Sequence, residues 1–134
     1  MKVLKVRRLQ ENICRGEIAK IQQAILEKET EIKQNLASIE EGRQKLSSAA
    51  GFSSHHYRQF VSYEESLRFQ NSSLSEEITE NQTALEEKKV ELRQHALETK
   101  KLEKDEERKL RDWQKEFKAE EQKTFDDIAS RKRP

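Results

Sequence analysis

The chain has 134 residues, of which 32% are hydrophobic and 40% are charged, and this apolar content is too small for a globular core of ordinary size. Disorder is disfavoured because 27 basic residues nearly balance 26 acidic residues, and the resulting net charge of +1 also argues against a nucleic-acid-binding protein. Interleaved charges with only three Gly and one Pro instead favour long helices.

The N-terminal segment does not have the pattern of a signal peptide, because residues 1–10 are basic and contain no apolar run. No segment approaches the ~20 apolar residues needed to cross a bilayer, so we expect no direct membrane insertion. Cys14 is the only cysteine, which excludes an internal disulfide and favours the reducing cytosol.

The first predicted helix, over residues 2–47, has an apolar residue at every seventh position. The repeat consists of Ile18, Ile25, Ile32, Ile39 and Leu46. Ile21 and Leu36 are expected to widen this stripe, and Val6, Leu9 and Ile13 are expected to extend it upstream. A sustained seven-residue repeat is typical of a coiled coil. Because Lys28 and Asn35 occupy the second core position, the stripe is narrow and favours a two-helix contact.

A tip loop is predicted over residues 48–54, where the sequence SSAAGFSS begins at residue 47. Gly51 is expected near the end of the first helix, and Ser53 or Ser54 is expected to cap the second. Gly42 is interpreted as a flaw in the first helix that costs about 1 kcal/mol relative to Ala.

The second predicted helix covers residues 55–130, and its apolar repeat consists of Phe60, Leu67, Leu74, Ile78, Leu85 and Leu92. A short connection makes two long helices antiparallel neighbours. The prediction is therefore an all-α protein in which residues 1–134 form a single antiparallel coiled-coil hairpin. If Leu46 pairs with Phe60, the second helix overhangs the first by about 28 residues, or ~42 Å.

The predicted overhang has an apolar face at 100° per residue that consists of Leu110, Trp113, Phe117, Phe125 and Ile128. No part of the first helix can reach this face, and an exposed aromatic stripe usually marks a protein contact. The hairpin is expected to bring two basic clusters to the same side, and these are either ordinary solubilising charges or a docking site for an acidic protein surface. The clusters are Lys2, Lys5, Arg7 and Arg8 at the N-terminus and Arg131, Lys132 and Arg133 at the C-terminus. Anionic lipid is a third and weaker alternative for these basic residues.

The sequence does not have the pattern of a catalytic, cofactor or metal site. There is no Gly-rich loop before a helix, and the adjacent His55 and His56 point in different directions on a helix, which does not suit a metal. The many carboxylates are expected on a solvated surface, where their pKa values are not tuned for acid–base chemistry. We therefore expect a protein that is not an enzyme and binds no cofactor.

Three segments resemble the bacterial flagellar export protein FliJ family. Residues 100–134 are similar to the charged C-terminal segment of that family, with matches at Glu121, Gln122, Lys123, Phe125, Asp126, Asp127, Ile128, Ala129 and Arg131. Residues 3–11 resemble the opening of the family, and residues 56–67 resemble the aromatic start of its second arm. The related stalk proteins of injectisomes, the YscO group, share this layout, so the flagellar and injectisome systems both remain open here.

The resemblance implies a stalk similar to the central shaft of rotary ATPases, bound in the pore of a hexameric export ATPase. It implies ATPase contacts at Lys5, Arg7, Arg8 and the five apolar residues of the overhang. It also implies contacts of Phe60, Tyr63 and Leu67 with the cytoplasmic domain of the export-gate membrane protein or with export chaperones. Such a protein would be cytoplasmic and peripheral at the inner membrane.

Two other functions compete with the export stalk. One is a homodimeric coiled-coil spacer, which the narrow seam disfavours because it predicts a monomer. The other is a chaperone-like clamp that holds unfolded clients at the tips of its arms. A clamp would need apolar residues at both arm ends, whereas the N-terminal end of this chain is basic.

Overall fold

The computed structural model describes residues 2–48 and 53–132, which contain two long helices, α1 (Lys2–Ser48) and α2 (Ser54–Lys132). α1 begins at the predicted residue, and the other three helix ends differ from the predicted ends by one or two residues. The fold is all-α, and the two helices pack against each other as an antiparallel hairpin, which confirms the predicted fold class. Most of the predicted tip loop, including Gly51, lies outside the described residues. The packed residues group into two compact units, Ile13–Leu92 and Met1–Asn12 with Arg93–Pro134.

In the unit Ile13–Leu92, the two predicted seven-residue repeats face each other and form a narrow seam. The inward row of α1 consists of Cys14, Ile18, Ile21, Ile25, Ile32, Ile39 and Leu46, and all of these side chains are buried or half-buried. The facing row of α2 consists of Phe60, Leu67, Leu74, Ile78, Leu85 and Leu92. These rows confirm the predicted stripe, and Cys14 proves to be one of its most buried members.

The register of this seam is visible in a polar contact at its middle. The side-chain amide of Asn35 donates a hydrogen bond of 2.8 Å to the side-chain oxygen of Asn71. Asn35 precedes Leu46 by as many residues as Asn71 follows Phe60, so the contact fits the register expected from pairing Leu46 with Phe60. Lys28 is also placed across the seam, with its ammonium 3.4 Å from a carboxylate oxygen of Glu77.

Four apolar residues that were assigned to the stripe are exposed instead, namely Val6, Leu9, Ile13 and Leu36. In the N-terminal segment the inward position is Leu4, which is buried. Two seven-residue steps back from Ile18 lead to Leu4 and not to Val6 or Leu9. Val6 and Leu9 lie about 200° and about 140° around the helix from Leu4, and so on its far side. The inward positions that follow Leu4 are occupied by Arg7 and Glu11, which are half-buried. Hydrophobicity alone therefore misassigned this segment.

Gly42 is an inward-facing position rather than a flaw in α1. A Cβ atom added there would lie 2.6 Å from Cε2 and 3.1 Å from Cδ2 of the Phe60 ring. The missing side chain therefore provides the space that the Phe60 ring fills near the tip. Gly16 differs, because a Cβ atom added at Gly16 would meet nothing within 4 Å.

The N-terminus of α2 is capped by Ser53, one of the two serines predicted for this role. The backbone N–H of His56 donates to the Ser53 hydroxyl oxygen at 3.4 Å, and the N–H of Tyr57 donates to the Ser53 carbonyl at 3.2 Å. A serine hydroxyl at this position satisfies a backbone donor that has no partner within the helix. The cap thus defines where the second arm begins.

The two glycines give opposite predictions for the same substitution. Gly42→Ala should lower the free energy of unfolding by about 1–3 kcal/mol, because the crowded Phe60 ring must move. Gly16→Ala should raise it by about 0.5–1 kcal/mol, because alanine favours the helix and the site is open. Urea unfolding of the wild-type chain and both variants, followed by circular dichroism, measures the difference. Equal stabilisation by both substitutions would contradict the placement of Gly42 against Phe60.

Candidate protein-binding surfaces

The C-terminal part of α2 forms the overhang, which we define as residues 107–131, and every one of its residues is exposed. Its exposed apolar side chains form the aromatic face, which consists of Leu110, Trp113, Phe117, Phe125 and Ile128. Trp113 is 59% exposed and Phe125 is 75% exposed. The rings of Trp113 and Phe117 stack with their centroids 5.5 Å apart and an angle of 19° between their planes.

Local side-chain contacts support the helix of the overhang. Arg111 lies 3.6 Å from Glu107, and the Gln122 amide donates to Asp126 at 3.1 Å, each pair one helical turn apart. Such pairs stabilise a helix by only about 0.2–0.5 kcal/mol each. The helix can therefore display its aromatic face without a packed partner, although that leaves a large apolar surface in water.

The N-terminal basic residues are placed next to α2 within the unit Met1–Asn12 with Arg93–Pro134. Arg7 forms an ion pair with Glu98, and the Arg8 guanidinium donates to Glu103 at 3.1 Å. Lys5 is exposed. A shallow groove beside these ion pairs is lined by Leu4, Arg8, Glu103, Glu106, Glu107 and Leu110. Leu110 therefore lies near α1, and the expectation that the first helix reaches no part of the apolar face was wrong for this one residue. Of the three predicted basic contacts, two are therefore already engaged with carboxylates of this chain.

The three residues predicted near the tip divide into two groups. Phe60 and Leu67 face the seam, and Leu67 is only 9% exposed, whereas Tyr63 points outward and is 48% exposed. A groove between the helices is lined by Arg43, Leu46, Ser47, Tyr57, Phe60, Val61 and Glu64. Of the three predicted residues, Tyr63 therefore offers the largest exposed surface for a partner.

The carboxylate of Glu64 pairs with two arginines beside this groove. One oxygen of Glu64 accepts hydrogen bonds from Arg43 at 2.6 Å and from Arg68 at 2.8 Å. The hydrogen bonds from Arg68, with those from Arg43, hold the pKa of Glu64 below its ordinary value although burial opposes them. Both arginines are half-exposed, so the ion pairs orient the side chains more than they stabilise the fold.

Two exposed aromatic residues were missed in the sequence. Tyr57 is 55% exposed at the start of α2, and Phe69 is 76% exposed on the side of α2 away from the seam. The sequence could have indicated that these two rings are exposed, because both residues fall outside the inward row formed by Phe60, Leu67 and Leu74. Neither belongs to the overhang, which makes Phe69 a useful control for the aromatic face.

The structure offers no obvious centre for chemistry in the part of the chain that it describes. There, no group of three or more His, Cys, Asp or Glu residues is placed to hold a metal ion. Neither α1 nor α2, as described, contains a stretch long and apolar enough to cross a membrane. The Cys14 thiol is buried, which raises its pKa, and it donates to the Lys88 carbonyl at 3.4 Å. A thiol held in its protonated form is a weak nucleophile.

Comparison with protein families identifies the family of the chain. A family model described as flagellar FliJ protein matches residues 1–133. The chain is a member of the flagellar FliJ protein family. Searches of curated proteins and of solved structures returned no match.

Membership of the FliJ family makes the chain a protein associated with flagellar type III export and flagellum biogenesis. This association agrees with a coiled-coil hairpin whose notable surfaces are exposed side chains rather than a cavity. The aromatic face and Tyr63 are among the surfaces that the geometry leaves open to other components.

Proposed function

We propose that this FliJ-family chain is a non-enzymatic stalk and adaptor of the flagellar export apparatus. In this proposal the overhang docks in the pore of the hexameric export ATPase, and the region near the tip contacts the cytoplasmic domain of the export gate and export chaperones. The observation that most supports it is the exposed stack of Trp113 and Phe117 on a helix that extends beyond its packed neighbour.

The aromatic face has the composition of a binding hot spot. Truncation of a central Trp or aromatic residue in an interface commonly costs ~2 kcal/mol or more. An apolar surface of this kind also promotes aggregation unless a partner covers it. Docking would remove the aromatic face from water. The favourable free energy of binding would then come from this burial rather than from ion pairs.

The charges beside the aromatic face suit a ring-shaped partner lined by acidic groups. Arg111, Lys115 and Lys118 are exposed in the first half of the overhang. Charge pairs at the rim of an interface mainly increase the association rate and fix orientation. Lys5 would add to this attraction. Arg7 and Arg8 would first have to break their ion pairs with Glu98 and Glu103 before they could contact the partner.

The rest of the proposal is supported by membership of the FliJ family. One hairpin would occupy one ATPase ring, so the working stalk is a single chain. It would be cytoplasmic and peripheral at the inner membrane through the export apparatus. A homodimeric spacer built on the hairpin seam is disfavoured, because the inward stripe of each helix already packs within the chain.

Removal of the aromatic stack should separate docking from folding. Trp113→Ala combined with Phe117→Ala should leave helicity unchanged, because both side chains are exposed, but should sharply reduce stimulation of the purified export ATPase. Circular dichroism and an ATPase assay measure the two effects. Phe69→Ala is the matched control, since it removes an exposed aromatic ring outside the overhang and should retain full stimulation.

Two outcomes would contradict this assignment. Full stimulation by the double variant would show that the aromatic face is not the docking surface. A large loss of stability in the free double variant would show that the two rings pack in the core, contrary to their exposure.

The tip region gives a second functional prediction. Tyr63→Ala should weaken binding to the cytoplasmic domain of the export gate while the melting temperature stays unchanged, because Tyr63 is half-exposed. Phe60→Ala should instead lower the free energy of unfolding by about 2 kcal/mol or more, because the ring fills the space at Gly42. Calorimetric titration and thermal melts measure both. If Tyr63→Ala lowers the melting temperature without weakening binding, Tyr63 only closes the tip.

A further inference from the structure

The aromatic face has an internal symmetry along the overhang. Leu110 and Ile128 lie nine residues before and after Ala119, and Trp113 and Phe125 lie six residues before and after it. All four side chains are on the exposed face. Two antiparallel copies of this helix centred on Ala119 would place Leu110 opposite Ile128, and Trp113 opposite Phe125, twice each. This is the arrangement that a two-fold interface requires.

The charges of the overhang are also divided about Ala119. Residues 107–118 contain five Lys or Arg residues and three Asp or Glu residues, whereas residues 120–131 contain two Lys or Arg residues and four Asp or Glu residues. In an antiparallel pair the basic half of one helix lies beside the acidic half of the other. A parallel pair would instead place like charges beside each other at both ends, which is unfavourable.

We infer that the aromatic face pairs antiparallel with the same face of a second copy of this chain, so that the free protein is a reversible dimer joined through its overhangs. Each copy covers the Trp113–Phe117 stack of the other. The hairpin seam takes no part, because its side chains already pack within each chain.

The same geometry limits the strength of this dimer. Phe117 lies opposite Glu121 of the second copy, so the centre of the contact combines an aromatic ring with a carboxylate. The interface is one short helix pair and is smaller than the interfaces of stable dimers. We therefore expect a dimer that dissociates on dilution. An export ATPase that binds the aromatic face would compete with the second copy, although the pairing itself does not rest on ATPase docking.

Sedimentation equilibrium from low to high micromolar concentration tests the pairing. The weight-average mass should rise from the monomer mass of 15.9 kDa towards twice that value. Trp113→Ala combined with Phe125→Ala should remain monomeric and helical, whereas Phe69→Ala should behave as the wild type. A wild-type chain that stays monomeric throughout would overturn the inference. A double variant that still dimerises would overturn it as well, because the interface would lie elsewhere.

Disulfide trapping tests the orientation. Two chains that differ in mass by a tag, one with Leu110→Cys and the other with Ile128→Cys, should form mainly the mixed disulfide when they are mixed and oxidised. A parallel pair would instead join each variant to itself, and that result would overturn the antiparallel arrangement. The wild-type chain serves as the control, because its buried Cys14 should remain unlinked.

A charge variant separates this inference from ATPase docking. Asp126→Lys combined with Asp127→Lys makes both halves of the overhang basic and should abolish the dimer, while Trp113 and Phe117 remain in place. An intact dimer in this variant would overturn the charge argument. If no variant affects the ATPase, the proposed docking fails but the sedimentation result still decides the pairing.

Discussion

A two-helix hairpin can cover only one stripe of each helix, and the rest of the structure depends on this constraint. Leu67 is buried in the stripe, whereas Tyr63, one turn before it, is half-exposed. Where α1 no longer provides a neighbour, α2 has no covered stripe, and the aromatic face of the overhang lies in water. A fold with so little interior is suited to binding other proteins through exposed side chains, which agrees with a component of an export apparatus.

The stripe itself is interrupted by polar contacts that specify the pairing. Asn35 and Asn71 satisfy each other only in one register, and Lys88 lies between Glu17 at 2.6 Å and Glu91 at 3.2 Å. The hydrogen bonds to Glu17 and then Glu91 raise the pKa of Lys88, so it stays charged at any physiological pH. A buried Asn in a coiled coil commonly fixes register at some cost in stability. We interpret the Asn35–Asn71 pair in the same way.

The parts of the structure that the sequence predicted are those that depend on local periodicity. The repeat from Ile18 to Leu46 and the aromatic face follow from residue spacing along a single helix. Two of the failures depend on contacts across the hairpin. Gly42 could be understood only once Phe60 was seen beside it, and the pairing of Arg7 with Glu98 required the register of a distant segment. The error at Val6 was of another kind, because the seven-residue spacing counted back from Ile18 leads to Leu4 and already places Val6 on the far side of the helix.

The central claim is that Trp113 is exposed in the free chain and becomes covered when the export ATPase binds. Because Trp113 is the only Trp, fluorotryptophan labelling gives a single fluorine NMR signal from the aromatic face. At a concentration where the chain is monomeric, this signal should show the solvent isotope shift of an exposed ring. It should then change position and lose that isotope shift when the ATPase is added to saturation. An unchanged signal in a complex whose formation is verified by sedimentation would contradict the account.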